Sequence, residues 1–218
     1  MERGEERQVS TRALNSGVSF RLNDDLPPAP EDGDADIPRL KRLLETGTAK
    51  QQQAALDQLV SLRAESTLVE CLASQNPATI RLATSGLWEC WLGEQGPAAR
   101  RQIEKGTRCM NEGDLEGALN IFAGLVKKYP RWAEAHNKQA TALYLLGNAR
   151  LSYKVCQLVV ELKPHHFGAW NGMALCAAQL EKWPAALDAA RQALRLQPTA
   201  QANLDLIQLA EAKLRSGE

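Results

Sequence analysis

Apolar residues recur every three or four positions along most of the chain, which is the spacing that places side chains on one face of an α-helix. In the front half this pattern runs from Ile37 to about residue 95, and turn-forming residues interrupt it several times. The interruptions fall at Gly47, around Glu65, at Asn76-Pro77 and at Gly93. The pattern therefore predicts helical hairpins over residues 37–95.

The back half repeats a unit of 34 residues. Three prolines, each closing an apolar periodic run, lie at that spacing: Pro130, Pro164 and Pro198. Because proline cannot continue the helical hydrogen-bond ladder, each marks the end of a helix. Small residues recur at the eighth and twentieth positions of every unit, and turn residues fall between them. We predict two helices joined by a tight turn in each of three units, 99–132, 133–166 and 167–200.

This combination of unit length, small residues at positions eight and twenty, a turn at fifteen and sixteen and proline at thirty-two resembles the tetratricopeptide repeat (TPR). The resemblance covers residues 99–200, and the wording "PHHFGAWNGMALC" is similar to that of bacterial and organelle TPR proteins. The chain departs from the pattern at position four, where only the third unit has the usual tryptophan, Trp170. The resemblance implies an all-α fold, a right-handed superhelix of helical hairpins with a concave groove.

The segments on either side of the three units are predicted by simpler signals. Within residues 37–95, an offset of 28 brings Leu40 onto Leu68 and Leu44 onto Leu72, which resembles short units of the HEAT class. The alternative is an unrelated helical cap packed on the first TPR unit. After Pro198, leucines and alanines at helical spacing predict a capping helix over residues 201–216.

The first residues have a different composition. Residues 1–36 are rich in acids and prolines, with too few apolar residues to offset the entropy of ordering them, and we expect a flexible arm. The whole chain has 26 basic and 26 acidic residues, yet residues 21–37 carry six acids against one arginine. The other 201 residues therefore have a surplus of five positive charges.

Hydropathy and cysteine usage indicate the compartment. No stretch approaches the roughly 18 consecutive apolar residues of a membrane span, and the chain is expected to be soluble. The opening "MERGEERQ" fits neither a secretory signal nor a clean transit peptide. Five widely spaced cysteines, an odd number, favour reduced thiols. An intracellular, reducing location is expected, in the cytoplasm or in an organelle matrix or stroma.

Residues 163–176, "KPHHFGAWNGMALC", contain two histidines, a tryptophan and a cysteine within a dozen positions. No third ligand recurs near His165 and His166 at a suitable spacing, and we interpret the pair as part of an outer loop between repeats. His136 takes a repeat position that usually packs a large ring. No Cys-x-x-Cys pair, phosphate-binding glycine loop or nucleophile elbow occurs, so we predict no enzyme activity, no cofactor and no metal.

The concave groove is the remaining candidate site. In this repeat, certain positions of the first helix of each unit usually face the groove, and here they are rich in amides and mildly apolar. The positions predicted to bind a partner are Glu104, Thr107, Asn111, Asn137, Lys138, Thr141, Tyr144, Asn171, Leu175 and Gln179. Asn137 and Asn171 can each donate to and accept from the backbone of a bound peptide or helix.

Some TPR domains hold the acidic carboxyl-terminal tails of heat-shock chaperones with a clamp of lysines, asparagines and an arginine. The corresponding positions here are Ile103, Thr107, Lys138, Gly168 and Gly172. Only Lys138 is basic, so the sequence argues against chaperone-tail binding.

The leading hypothesis is therefore a non-catalytic scaffold or adaptor that binds a peptide or helix of another protein and assists complex assembly. One alternative is an RNA-associated helical-repeat protein, which the basic surplus favours, although basic residues are scattered rather than striped. Another is an autoinhibited adaptor with the acidic arm lying in the groove.

Overall fold

The computed structural model describes residues 36–217, and every regular element in that range is an α-helix. The helices are α1 Ile37–Thr46, α2 Ala49–Ser61, α3 Glu65–Cys71, α4 Pro77–Gly93, α5 Gly96–Asn111, α6 Leu115–Lys128, α7 Ala133–Leu145, α8 Ala149–Leu162, α9 Phe167–Gln179, α10 Trp183–Leu196 and α11 Gln201–Ser216. The predicted all-α architecture is confirmed for this part of the chain.

Helices α1 to α4 form an N-terminal unit of two hairpins around one core. α1 packs on α2 and α3 on α4, and α2 also contacts α4. The residues matched by the offset of 28, including Leu40, Leu44, Leu68 and Leu72, are all buried in this core. Phe167 of α9 belongs to the same cluster. The N-terminal unit therefore shares its core with the repeats.

The remaining helices follow the 34-residue period. α5 pairs with α6, α7 with α8 and α9 with α10, and each proline of the spaced set lies two residues beyond the end of a second helix. The intervening turns use a left-handed residue, with φ of 89° at Gly113 and 81° at Gly147. Glu181 takes the same place with φ of 56°, a conformation that costs a residue with a Cβ about 1–2 kcal/mol.

Ring side chains at position four close the joint between consecutive units. Trp170 Nε1 donates a 2.8 Å hydrogen bond to the carbonyl oxygen of Pro164. His136, which is buried, places Nε2 2.9 Å from the carbonyl oxygen of Pro130, six residues earlier as in the other unit. Each ring satisfies a carbonyl that lies beyond the end of a helix and has no intrahelical donor. His136 thus has the packing role that its repeat position suggests.

The order of the helices gives the array its curvature. The first helices contact each other in sequence, α5 with α7, α7 with α9 and α9 with α11. No comparable contact joins α6 to α8 or α8 to α10. Because the first helices lie closer together than the second helices, they form the concave face and the second helices form the outer face.

One sequence prediction lies almost wholly outside the described residues. The arm predicted over residues 1–36 lies outside them except for Asp36. Within residues 36–217, no helix is both long enough and apolar enough to cross a membrane.

Candidate functional site

The concave face is divided into a covered part and an open part. The covered part lies against α4 of the N-terminal unit, which contacts both α5 and α7. Trp88 of α4 lies so close to α9 that a Cβ added to Gly168 would be 2.8 Å from Trp88 Cη2. Lys138 Nζ of α7 lies 5.7 Å from the centroid of a Trp88 ring, within cation–π range. Trp88 therefore occupies the face between α7 and α9.

Trp91, one turn further along α4, is fully buried against the joint between the second and third units. Its ring stacks on His166, with centroids 4.2 Å apart and planes 19° apart. The backbone carbonyl of Trp91 accepts a 2.8 Å hydrogen bond from Trp132 Nε1. Trp91 thus contacts both the last residue of the first unit and the joint between the second and third units.

Both ring nitrogens of His166 have hydrogen-bond partners at this joint. Its Nδ1 accepts a 3.2 Å hydrogen bond from the backbone N–H of Ala169 and so caps the start of α9. Because Nδ1 is an acceptor, the proton is on Nε2, which donates to Glu134 Oε2 at 3.0 Å. The ring of His166 is therefore fixed at both nitrogens.

Glu134 is a fully buried carboxylate on α7. Besides His166, it accepts a 3.1 Å hydrogen bond from Asn137 Nδ2, and Lys138 Nζ lies 3.4 Å from Oε1. Burial alone would raise the pKa of this carboxyl. The Lys138 charge and the hydrogen bond from His166 outweigh burial and hold the pKa below its usual value of 4.5. The carboxylate therefore stays ionised, paired within the fold.

A second polar cluster joins the N-terminal unit to the end of the second repeat unit, at the edge of this joint. Lys163 Nζ lies 2.8 Å from Glu65 Oε2 and 3.2 Å from Glu94 Oε2. His165 Nε2 lies 3.2 Å from Glu65 Oε2, and Trp91 Nε1 donates to the same oxygen at 3.1 Å. Burial opposes ionisation of Glu65, but the contacts from His165 and Lys163 lower its pKa to about 2.

These contacts correct the expected position of the two histidines. We predicted an outer inter-repeat loop, but His166 is fully buried beneath Trp91, and His165 contacts the N-terminal unit. No group of three or more His, Cys, Asp or Glu residues within residues 36–217 is placed to hold a metal ion. The histidines instead join the repeats to α3 and α4, a role that needs the tertiary fold to be seen.

The cysteines lie in helices and face packed neighbours. Cys71, Cys90, Cys156 and Cys176 are buried, and Cys109 is half-buried. Burial raises the pKa of the Cys71 and Cys90 thiols to about 11 and that of Cys156 to about 12. Because the thiolate is the nucleophile, these thiols are poorly reactive near neutral pH.

The open part of the concave face lies toward the carboxyl-terminal ends of the first helices. Three leucines are exposed there: Leu145 of α7 by 51%, Leu175 of α9 by 39% and Leu209 of α11 by 47%. Leu209 lies 34 residues after Leu175, so the two occupy equivalent positions on adjacent helices. Tyr144, next to Leu145, is half-buried. We call Tyr144, Leu145, Leu175 and Leu209 the open apolar strip.

The predicted groove residues divide between these two parts and the first unit. In the covered part, Asn137 is buried and donates to Glu134, so its amide does not face an open groove. Lys138 is engaged by Glu134 and Trp88. Tyr144 and Leu175 belong to the open apolar strip, with Gln179 exposed near its end and Asn171 half-buried.

The other four predicted residues have local roles or are exposed. The hydroxyl of Thr107 donates to the Ile103 carbonyl, and that of Thr141 to the Asn137 carbonyl. Glu104 accepts from Arg100 Nε at 2.9 Å, and Asn111 is exposed. Sequence reasoning missed Leu209, although its 34-residue spacing from Leu175 was the signal that placed it on the same face.

Comparison with known proteins agrees with this architecture. The Sgt2 TPR domain from Aspergillus fumigatus superposes with a TM-score of 0.53 and 14% identity, covering 56% of this chain and 82% of that one. The first TPR of Spaghetti, solved bound to an HSP90 peptide, superposes with a TM-score of 0.51 and 18% identity, covering 52% and 90%. MamA from Desulfovibrio magneticus gives 0.50 and 17%, covering 71% and 85%.

This chain has the TPR fold. A curated relative, a TPR repeat-containing protein of Rhizobium etli, is 37% identical over 57 residues. That match spans 26% of this chain and 28% of the relative, so the chain covers well under two thirds of it. No family model matches the chain. The predicted TPR resemblance is confirmed at the level of fold.

Proposed function

We propose that this chain is a protein-interaction scaffold that binds a peptide or helix of another protein along the open apolar strip. Leu145, Leu175 and Leu209 carry the proposal, because large apolar side chains exposed on successive helices of one concave face are typical of binding surfaces. Burying them against a partner would remove apolar area from water, at about 25 cal/mol per Å².

The packing of Trp88 shows what kind of side chain the concave face accepts. Trp88 of α4 lies against Gly168 of α9 and Lys138 of α7. A partner helix or extended peptide that places apolar side chains on the next stretch of the same face would continue that packing. The polar residues at its border, Asn171 and Gln179, would hydrogen-bond the partner backbone.

The solved TPR neighbours support a protein partner, since one of them was solved with an HSP90 peptide in place. The class of peptide is expected to differ here. Of the five clamp positions only Lys138 is basic, and it is already engaged by Glu134, while Gly168 lies beneath Trp88. A carboxylate-rich chaperone tail would meet little positive charge, so we keep the prediction that such tails are disfavoured.

The RNA alternative gains no support from the charges of the described residues. Two partly buried basic side chains are paired with carboxylates of the same chain, Arg100 with Glu89 and Lys163 with Glu65. Phosphate contacts would have to compete with these pairs.

Crosslinking and mass spectrometry from native extract test the proposal. We compare the wild-type chain with Leu175→Gln/Leu209→Gln, and use Leu151→Gln/Leu158→Gln as the matched control, because that pair removes two exposed leucines from α8 on the outer face. Glutamine preserves helix propensity, and circular dichroism should show all three proteins folded.

We expect at least one partner recovered with the wild-type chain to be lost from the α9/α11 variant by tenfold or more, and kept by the α8 variant. A partner retained equally by both variants would contradict groove binding.

A further inference from the structure

A recess separate from the open apolar strip lies between α8, α9 and α10. It is an open cleft of about 420 Å³, and none of its lining residues belongs to the predicted groove. Tyr153, Trp170 and Met173 line it on the side of α8 and α9, and Arg191 and Arg195 on the side of α10. It thus combines aromatic side chains with a basic edge.

The charge of this cleft is positive. Lys182 Nζ lies 5.9 Å from the Tyr153 ring centroid, which adds a third cation to the two arginines. Arg195 hydrogen-bonds the neutral side chain of Gln192, and Asp188 is the one carboxylate among the lining residues. Arg191 pairs with Glu211 at 2.9 Å, but both are well exposed, and an exposed pair stabilises a protein by about 1 kcal/mol or less. Arg191 can therefore exchange this partner at small cost.

The chain itself contains a segment of matching chemistry. Residues 24–35, "DDLPPAPEDGDA", hold five acids, three prolines and no basic residue. We call them the acidic segment. Proline fixes φ and restricts the residue before it, so such a sequence favours extended backbone, and extended proline-rich segments dock on aromatic-lined grooves. Its carboxylates would meet the arginines while its prolines meet the aromatic rings.

The acidic segment is long enough to extend along the whole of α10. It ends beside Asp36, where α1 begins, and Ile37 of α1 packs against the same core cluster as Leu196, the last residue of α10. Twelve residues in extended form span up to about 40 Å. That length exceeds what is needed to run along a helix of 14 residues such as α10, about 21 Å long.

We propose that the acidic segment, residues 24–35, docks in the cleft lined by Tyr153, Trp170, Arg191 and Arg195. The chain's own segment is favoured over a foreign acidic peptide because it is tethered, and a short tether gives an effective concentration in the millimolar range. In the proposed position the acidic segment lies outside the open apolar strip, in contrast to the hypothesis that it lies in the groove. The inference is independent of the proposed partner binding.

The test uses the full chain and the indole N–H signals of its five tryptophans in ¹⁵N-labelled protein. The Trp170 signal is assigned with Trp170→Phe. We compare wild type with Glu31→Gln/Asp32→Asn/Asp34→Asn, and use Glu2→Gln/Glu5→Gln/Glu6→Gln as the matched control, since both remove three charges N-terminal to α1. The first triple should shift the Trp170 signal, while Trp88, Trp91 and Trp132 stay unchanged. The control should shift none of them.

Two further measurements identify the occupant. In an Arg191→Gln/Arg195→Gln background, neutralising the three acids should have no additional effect on the Trp170 signal. A synthetic peptide of residues 22–36, added to the neutralised chain, should restore the wild-type signal in a saturable way, and the same peptide with amides in place of its acids should not. An unchanged Trp170 signal in the first triple, an equal shift in both triples, or no response to the peptide would each overturn the proposal.

Discussion

The covered and open parts of the concave face are built by the same helices, yet they differ in the burial of their apolar side chains and in the pairing of their polar groups. In the covered part, α4 buries Trp91, and the carboxylate of Glu134 and both nitrogens of His166 find partners. In the open part, Leu145, Leu175 and Leu209 remain exposed to solvent. Neighbouring positions of one repeat thus serve as core in one place and as free surface in another.

The repeat pattern alone therefore does not decide which part of the concave face is free to bind a partner. A hairpin array produces a concave face of fixed outline, and another part of the chain decides how much of that face is free. Here the N-terminal unit covers the beginning of the concave face, so the surface that remains exposed lies toward α9 and α11. The predictions below test whether the covered part is as integral to the fold as its packing indicates.

The largest effect is expected at the centre of the covered part. Trp91→Ala removes a fully buried ring and its stacking on His166, so the free energy of unfolding should fall by about 3–5 kcal/mol. Trp183→Ala is the control, because Trp183 is only half-buried, near Lys213, and should cost about 1 kcal/mol. Urea unfolding measures both. Equal losses in the two variants would mean that α4 does not hold the repeats.

The next effect separates two adjacent histidines. His166→Asn keeps a side-chain acceptor for the Ala169 N–H but loses the ring stack and the donor to Glu134, so we expect a loss of about 2–3 kcal/mol. His165→Asn removes a partly exposed contact with Glu65 and should cost about 1 kcal/mol or less. Thermal and urea unfolding of both variants check the order, and a reversed order would refute the assignment of His166 as the buried cap.

A smaller effect depends on pH. The pKa of Glu65 is about 2 in the fold against an ordinary 4.5, so its ionised form stabilises the fold above pH 4.5, and that contribution is lost as the pH falls from 4.5 toward 2. Glu65→Gln should therefore lose about 1–2 kcal/mol at pH 7, after allowance for screening, and converge with wild type near pH 2.

Glu70→Gln provides the comparison for Glu65. Glu70 pairs with Lys41 on the exposed surface, so its replacement should change stability by less than about 1 kcal/mol at pH 7. Urea midpoints at half-unit steps of pH give both curves. A constant difference between Glu65→Gln and wild type across the whole range would contradict the pairing of Glu65 with Lys163.

The hairpin array was predictable from sequence because its signals are local. Prolines spaced by 34 residues, glycines that supply a left-handed turn and apolar residues at helical spacing each act within one unit. The helix ends at Lys128, Leu162 and Leu196 follow from those signals. The open leucine at position 175 was predicted for the same reason.

The covered part could not be predicted because it depends on contacts distant in sequence. Lys163 contacts Glu65 across 98 residues, and Trp132 donates to the Trp91 carbonyl across 41. No feature of the neighbouring sequence distinguishes His166 as a buried cap from a histidine on an outer loop. Asn137 is a residue type that an open groove position also commonly has. Only the docking of α4 decides that these side chains are interior.

The smallest effect is expected at two glycines, where alanine should change the free energy of unfolding in opposite directions. Gly168→Ala introduces a Cβ that would lie 2.8 Å from Trp88 Cη2, so the indole must move away from α9, at a cost of about 1 kcal/mol. Gly124→Ala, within α6, meets no atom within 4 Å and replaces the poorest ordinary helix former in a helix interior, so it should stabilise the fold by about 0.5–1 kcal/mol. Differential scanning calorimetry should show opposite shifts in Tm. If both alanine variants raised Tm equally, Trp88 would not be in contact with α9. The beginning of the concave face would then be as open as its end.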